Sequence, residues 1–171
     1  MYINFGGIAM FGKLFKKKEK QEIELFAPVD GEVIPLEEVP DPVFAEKMMG
    51  DGIAIKPSNG KVVSPVDGDI VQAFPTKHAV GIKADNGAEV LIHIGLETVS
   101  LDGEGFTIHV KEGDKVKKGD ALVDVDLDVV SEKAADTVTP MLITNMSDIE
   151  ALNKQDVKQV RASEDVVITV K

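Results

Sequence analysis

A chain of 171 residues with no cysteine is one domain's worth of sequence, long enough to bury a core unaided, and it excludes disulfide scaffolds, thiol nucleophiles and cysteine-based zinc sites together. Lys and Arg total 19 against 30 Asp and Glu, but five of the lysines fall between Lys13 and Lys20, so from Gln21 onward 14 basic residues face 29 acidic ones. So acidic a body disfavours nucleic acid, whose phosphates need a basic face, and favours a basic protein partner.

Residues 1–20 are expected to form a flexible segment ahead of a single domain spanning 21–171. Within it, Met10 to Lys20 sets Phe11, Leu14 and Phe15 at helix-like spacing beside the lysine cluster. Two readings stay open: a solvated tail, or a short amphipathic anchor making weak contact with anionic lipid. Met10 is also a natural start, with residues 1–9 then an upstream extension. The first 15 residues lack the apolar run and small-residue cleavage site of a secretory signal, and no stretch approaches the roughly 18 apolar residues of a membrane span. A cytoplasmic location is expected.

Beyond the tail, short runs rich in β-branched residues are punctuated by Gly, Pro and Asp. They fall at 23–26, 32–34, 52–55, 61–63, 69–72, 79–83, 89–94, 121–126, 139–144 and 166–170. Long helical periodicity is missing, which predicts an all-β antiparallel sandwich or barrel. Three brief helical turns are expected: Val43 to Met49, where Asp41 and Pro42 supply an N-cap and first-turn proline, then 128–135 and 148–153. An internal echo runs through the first half, Ala-Pro-Val-Asp-Gly-Glu-Val-Ile at 27–34 recurring as Ser-Pro-Val-Asp-Gly-Asp-Ile-Val at 64–71. Each Pro-Val-Asp-Gly is expected to turn the chain between strands, its glycine taking a positive φ.

The stretch from Gly87 to Val99 carries the chemistry. A strand over Glu89 to Ile94 puts Val90, Ile92 and Ile94 on one face, which reads as core, and Glu89, Leu91 and His93 on the other. Gly95 lets the backbone turn closely behind the histidine, so that its carbonyl accepts the proton of the near ring nitrogen and leaves Nε2 as a free nucleophile. At an ordinary pKa near 6.5, about three-quarters of such a ring is neutral at pH 7. His78, in Pro-Thr-Lys-His-Ala-Val, precedes a strand that would bring the two rings together if it lay beside the first. His109 lies away from both and reads as a surface or structural residue.

Position by position, this stretch resembles the phosphorylation-site signature of the glucose-family IIA proteins of the bacterial phosphoenolpyruvate-dependent sugar phosphotransferase system. Gly87, Val90, Leu91, Ile92, His93, Ile94, Gly95, Leu96, Thr98 and Val99 fill every required place. Segments 39–57, 65–68, 76–79 and 101–106 are similar to the family in the same order, so the resemblance covers residues 22–171. It implies a duplicated barrel-sandwich hybrid motif with a few short helical turns, and a phosphocarrier that needs no cofactor. It also implies that His93 accepts a phosphoryl group from phosphorylated HPr and passes it to the IIB domain of a sugar permease. His78 would stabilise that group and Thr76 would orient His78. Asp41 and Glu97 correspond to acidic residues at the edge of the family's site, Glu97 replacing the more usual aspartate. Val43, Phe44, Phe74, Val80 and Leu91 match the positions of an apolar collar, with Phe44 and Phe74 expected to be its exposed pair.

Two rivals remain. The unphosphorylated collar could serve mainly as a regulatory docking surface that phosphorylation closes by adding charge. The segment 110–122, Val-Lys-Glu-Gly-Asp-Lys-Val-Lys-Lys-Gly-Asp-Ala-Leu, also resembles lipoyl and biotinyl carrier domains, yet no lysine follows until Lys133, so a swinging-arm carrier is disfavoured. Two facing histidines could bridge a divalent metal, but no third protein ligand is evident in the sequence and a metal is not expected.

Overall fold

The computed structural model describes residues 21–171; the basic tract, and both readings of it, lie outside the described residues. Fourteen strands are described: β1 Ile23–Phe26, β2 Gly31–Pro35, β3 Asp51–Pro57, β4 Lys61–Val63, β5 Gly68–Ala73, β6 Ala79–Ala84, β7 Glu89–His93, β8 Phe106–Ile108, β9 Lys115–Val116, β10 Ala121–Val125, β11 Thr139–Ile143, β12 Leu152–Lys154, β13 Gln159–Val160 and β14 Val166–Val170. All ten runs read from the sequence are strands. Two short helices are α1 Pro42–Ala45 and α2 Leu127–Lys133. The helical turn expected over 148–153 is displaced: a single 3-10 turn covers Met146–Asp148, and Leu152–Lys154 pairs with β14 instead. That pairing satisfies backbone groups that a lone turn would leave open.

The strands form one eight-stranded sheet, in the order β9-β5-β6-β7-β11-β3-β2-β13, and two three-stranded sheets, β4-β10-β8 and β12-β14-β1. Each order is linear, so no sheet closes into a barrel. Alternation along β7 explains how the sheet is used. Val90, Ile92 and Ile94 enter the main core with Ile55, Ile82, Leu122, Met141 and Ile168, while Leu91 joins a second cluster on the opposite face, with Leu36, Phe44, Ala79, Leu96 and Leu142. Burying each large aliphatic side chain contributes about 1.5–3 kcal/mol. The second cluster therefore gives the outer face of the sheet a firm floor.

The sequence echo is a structural duplication. Phe26 N–H donates to Pro65 O, and Val63 N–H donates to Pro28 O, so each Pro-Val-Asp-Gly segment binds the strand that leads into the other. Asp30 accepts from Ala162 N–H just as Asp67 accepts from Lys118 N–H, and β13 pairs with β2 as β9 pairs with β5. These reciprocal bonds describe a pseudo-twofold axis. The expected positive φ is found at Gly31, at 157°, but not at Gly68, where the structure corrects it. Glycine is needed there for closeness of approach, since a Cβ would lie 2.1 Å from Lys56 O at Gly31 and 2.3 Å from Lys83 O at Gly68.

Candidate functional site

Antiparallel pairing of β6 with β7 sets Ala79 directly across from His93, and Ile94 N–H donates to His78 O at 2.7 Å. Strict alternation would send the His78 side chain to the sheet face opposite Ala79 and His93. The turn from Phe74 to Lys77 overrides it. Lys77 is left-handed, with φ 63°, and its N–H donates to Phe74 O. The two imidazoles consequently meet edge to face, with centroids 4.9 Å apart and planes inclined by 79°.

Each ring is held at Nδ1. His93 Nδ1 lies 2.9 Å from Gly95 O, and because a carbonyl only accepts, that nitrogen carries the proton and Nε2 keeps its lone pair. His78 Nδ1 lies 2.7 Å from Thr76 Oγ1. With the hydroxyl donating, the His78 proton sits on Nε2, the edge free to face a ligand on His93. Gly95 has φ 75°, and a Cβ there would fall 2.6 Å from Thr98 Cγ2, so the close turn behind His93 admits only glycine.

Burial decides the charge of the pair. His78 is 4% exposed, and burial, helped by the adjacent His93, pushes its pKa down to about 4. Burial also holds half-buried His93 below its ordinary value, opposed by the Gly95 carbonyl and by the Asp41 carboxylate. Both rings are therefore neutral at pH 7, and His93 is more fully available as a nucleophile than an exposed histidine would be. Among the described residues, no group of three His, Cys, Asp or Glu is placed to hold a metal ion.

Asp41 caps α1 as the sequence predicts, its carboxylate accepting from Val43 N–H at 2.9 Å. Glu97 is exposed and left-handed, with φ 58°. The collar differs from expectation in three places. Phe44 is 4% exposed, packing on His93 with ring centroids 5.0 Å apart, so it is a wall of the site and not an exposed anchor. Val80 pairs with Ile92 and points into the main core, away from the histidines. Leu91 shares the His93 face but is buried in the floor at 6% exposure. Phe74 is half-buried, its ring 5.4 Å from that of His78, and Val43 is exposed.

Apolar side chains that the sequence did not assign to the collar are exposed in the segments that carry the site: Met48 and Met49 after α1, and the signature residue Val99 immediately after Thr98. Their signal was their place beside the motif, large apolar residues in short loops that bury little. His109 pairs with Asp124 at 3.0 Å on the β8 and β10 ladder, apart from the site. Lys133 ends α2 in an ion pair with Glu104, which is not the hairpin tip a carrier lysine requires.

Comparison with known proteins is consistent across sequence and structure. Residues 23–149 match the family model described as phosphoenolpyruvate-dependent sugar phosphotransferase system, EIIA 1. The chain is 57% identical over 170 residues to the PTS system glucose-specific EIIA component of Halalkalibacterium halodurans, covering 95% of this chain and 98% of that one. It is 53% identical over 163 residues to the protein of the same name from Oceanobacillus iheyensis, covering 94% and 99%. The glucose permease IIA of Mycoplasma capricolum superposes with a TM-score of 0.83 at 44% identity, covering 88% of this chain and 97% of that one. A β-sandwich shared with that structure and a family match spanning the histidine pair leave one conclusion: the chain belongs to the EIIA 1 family of the phosphoenolpyruvate-dependent sugar phosphotransferase system.

Proposed function

We propose that this protein is a cytoplasmic phosphocarrier that takes a phosphoryl group from phosphorylated HPr onto His93 and delivers it to the IIB domain of a glucose-type permease. The observation that carries this reading is the pair of neutral imidazoles 4.9 Å apart, one with Nδ1 tied to the Gly95 carbonyl. In the forward step the Nε2 lone pair of His93 forms a bond to phosphorus. The bond from phosphorus to the donor's ring nitrogen breaks, and its electron pair returns to the donor imidazole. Transfer to IIB repeats the exchange with His93 as the leaving group.

Such a transfer calls for positioning and charge stabilisation more than for a built-in base. His78 donates from Nε2–H to a phosphoryl oxygen, and Thr76 holds it in that tautomer. Phe44 and Phe74 keep water from the phosphorus, where a low local dielectric strengthens the hydrogen bond to His78. The acidic body suits a basic partner surface.

Incubation with phosphoenolpyruvate, enzyme I and HPr, followed by mass analysis in alkaline solution, tests the proposal. Acid-labile phosphate on His93, and none in His93→Gln, is the expected result; no phosphate on the wild-type ring sinks it. The exposed apolar side chains of Val43, Met48, Met49 and Val99 favour a second role on the same surface, as a docking face for regulatory partners that phosphorylation closes. His93→Gln would retain that docking while losing transfer.

A further inference from the structure

Three successive peptide units behind His93 are each held by a hydrogen bond. The 93–94 unit donates through Ile94 N–H to His78 O at 2.7 Å. The 94–95 unit accepts through Ile94 O from the Thr98 hydroxyl, also at 2.7 Å. The 95–96 unit presents Gly95 O to His93 Nδ1 and donates through Leu96 N–H to Asp136 O at 2.9 Å. Besides the His93 ring itself, two of these partners are backbone carbonyls, and Thr98 is the one that acts through a side chain.

Thr98 is wholly buried, and its hydroxyl has Ile94 O as its partner within the loop it closes. Its methyl lies directly beneath Gly95, where the position of an added Cβ would be 2.6 Å away. The residue thus holds the backbone through its hydroxyl, which fixes the carbonyl that precedes Gly95, while its methyl occupies the space a side chain at 95 would need. The direction of Gly95 O follows from the peptide that the hydroxyl holds, and Gly95 O is what keeps the proton on His93 Nδ1. A buried carbonyl robbed of its donor would turn to find another, and this one sits one peptide from the group that sets the tautomer.

We infer that Thr98 is the positioning residue for His93, holding the ring in the Nδ1–H tautomer through the Ile94 and Gly95 backbone. The inference rests on His93 as the reactive ring but concerns its proton and not its phosphorylation. Ring-nitrogen chemical shifts from proton–nitrogen correlation spectra at pH 7.5 read it directly, with no phosphoryl donor present. In the wild type, Nε2 should have the shift of an unprotonated nitrogen and Nδ1 that of a protonated one. Thr98→Val keeps the methyl and removes the hydroxyl, and the two shifts should move toward each other as the second tautomer becomes populated. Thr98→Ser keeps the hydroxyl and should hold the wild-type pattern.

The rate of transfer from phosphorylated HPr should fall roughly five- to tenfold in Thr98→Val, the factor one hydrogen bond commands, and should be largely retained in Thr98→Ser. Should Thr98→Val not fold, Thr98→Ala takes its place with the same expectation. An unchanged His93 pattern in the folded hydroxyl-free variant overturns the inference, as does a Thr98→Ser pattern that departs from the wild type along with it. If the spectra respond as stated while the wild-type ring takes no phosphate, the phosphocarrier reading falls and the positioning role stands.

Discussion

His78 should give this protein a stability that depends on pH in a direction and window fixed by its burial. Its pKa is about 4 in the folded chain, against 6.5 for an unperturbed ring. Between those values the unfolded chain binds more protons than the folded one, so stability rises with pH; it is fully present above 6.5 and is lost as pH falls through 4. The whole gap corresponds to about 3 kcal/mol, of which about 2 kcal/mol is gone by pH 5, a sizeable share of the ~5–15 kcal/mol that holds a typical domain together. His93, also depressed by burial, acts in the same sense. Urea denaturation of the wild type and His78→Gln at pH 7.5, 6 and 5 isolates the contribution, because the carboxylates common to both cancel in the difference. The wild type should lose about 2 kcal/mol more than the variant between pH 7.5 and 5. Parallel profiles would refute the reasoning, showing that the ring takes up its proton in place without cost.

Gly95→Ala combines a left-handed backbone, costing about 1–2 kcal/mol, with a clash against the Thr98 methyl and Asp136 O, so the midpoint of thermal unfolding should fall by roughly 5–15 °C. Adding Thr98→Ser removes the clashing methyl and should return part of that loss; strictly additive effects would place the clash elsewhere. Phe44→Ala should cost about 3–5 kcal/mol in urea unfolding, and Phe74→Ala less than half as much, since only Phe44 is fully buried. Equal losses would contradict that difference in burial. His109→Asn breaks an exposed pair with Asp124 and should change stability by less than about 0.5 kcal/mol, with transfer rates untouched.

Strand positions were legible because β-branched runs between Gly, Pro and Asp are a local signal, read without knowing which strands pair. The four strands the sequence did not reveal, Phe106–Ile108, Lys115–Val116, Leu152–Lys154 and Gln159–Val160, have two or three residues each and exist because a partner strand supplies their hydrogen bonds. Collar residues were misjudged for the same reason. Val80 and Leu91 are similar in a composition-based view, yet pairing with Ile92 commits Val80 to the main core, and the His93 face commits Leu91 to the floor beneath the site.

The sequence alone determined the reactive element: an intact thirteen-residue stretch with His93 at a strand end, a glycine where only glycine fits, and alternation that separates core face from site face. Those are properties of neighbouring residues along one strand. Tertiary structure decided the company that His93 keeps. The left-handed turn at Lys77 swings His78 onto the same side, Phe44 closes over the ring from α1, and Asp136 O anchors the loop behind it through Leu96 N–H. Such contacts depend on which strands lie side by side and on where the chain breaks its alternation, and both are settled only when the sheet packs on its core.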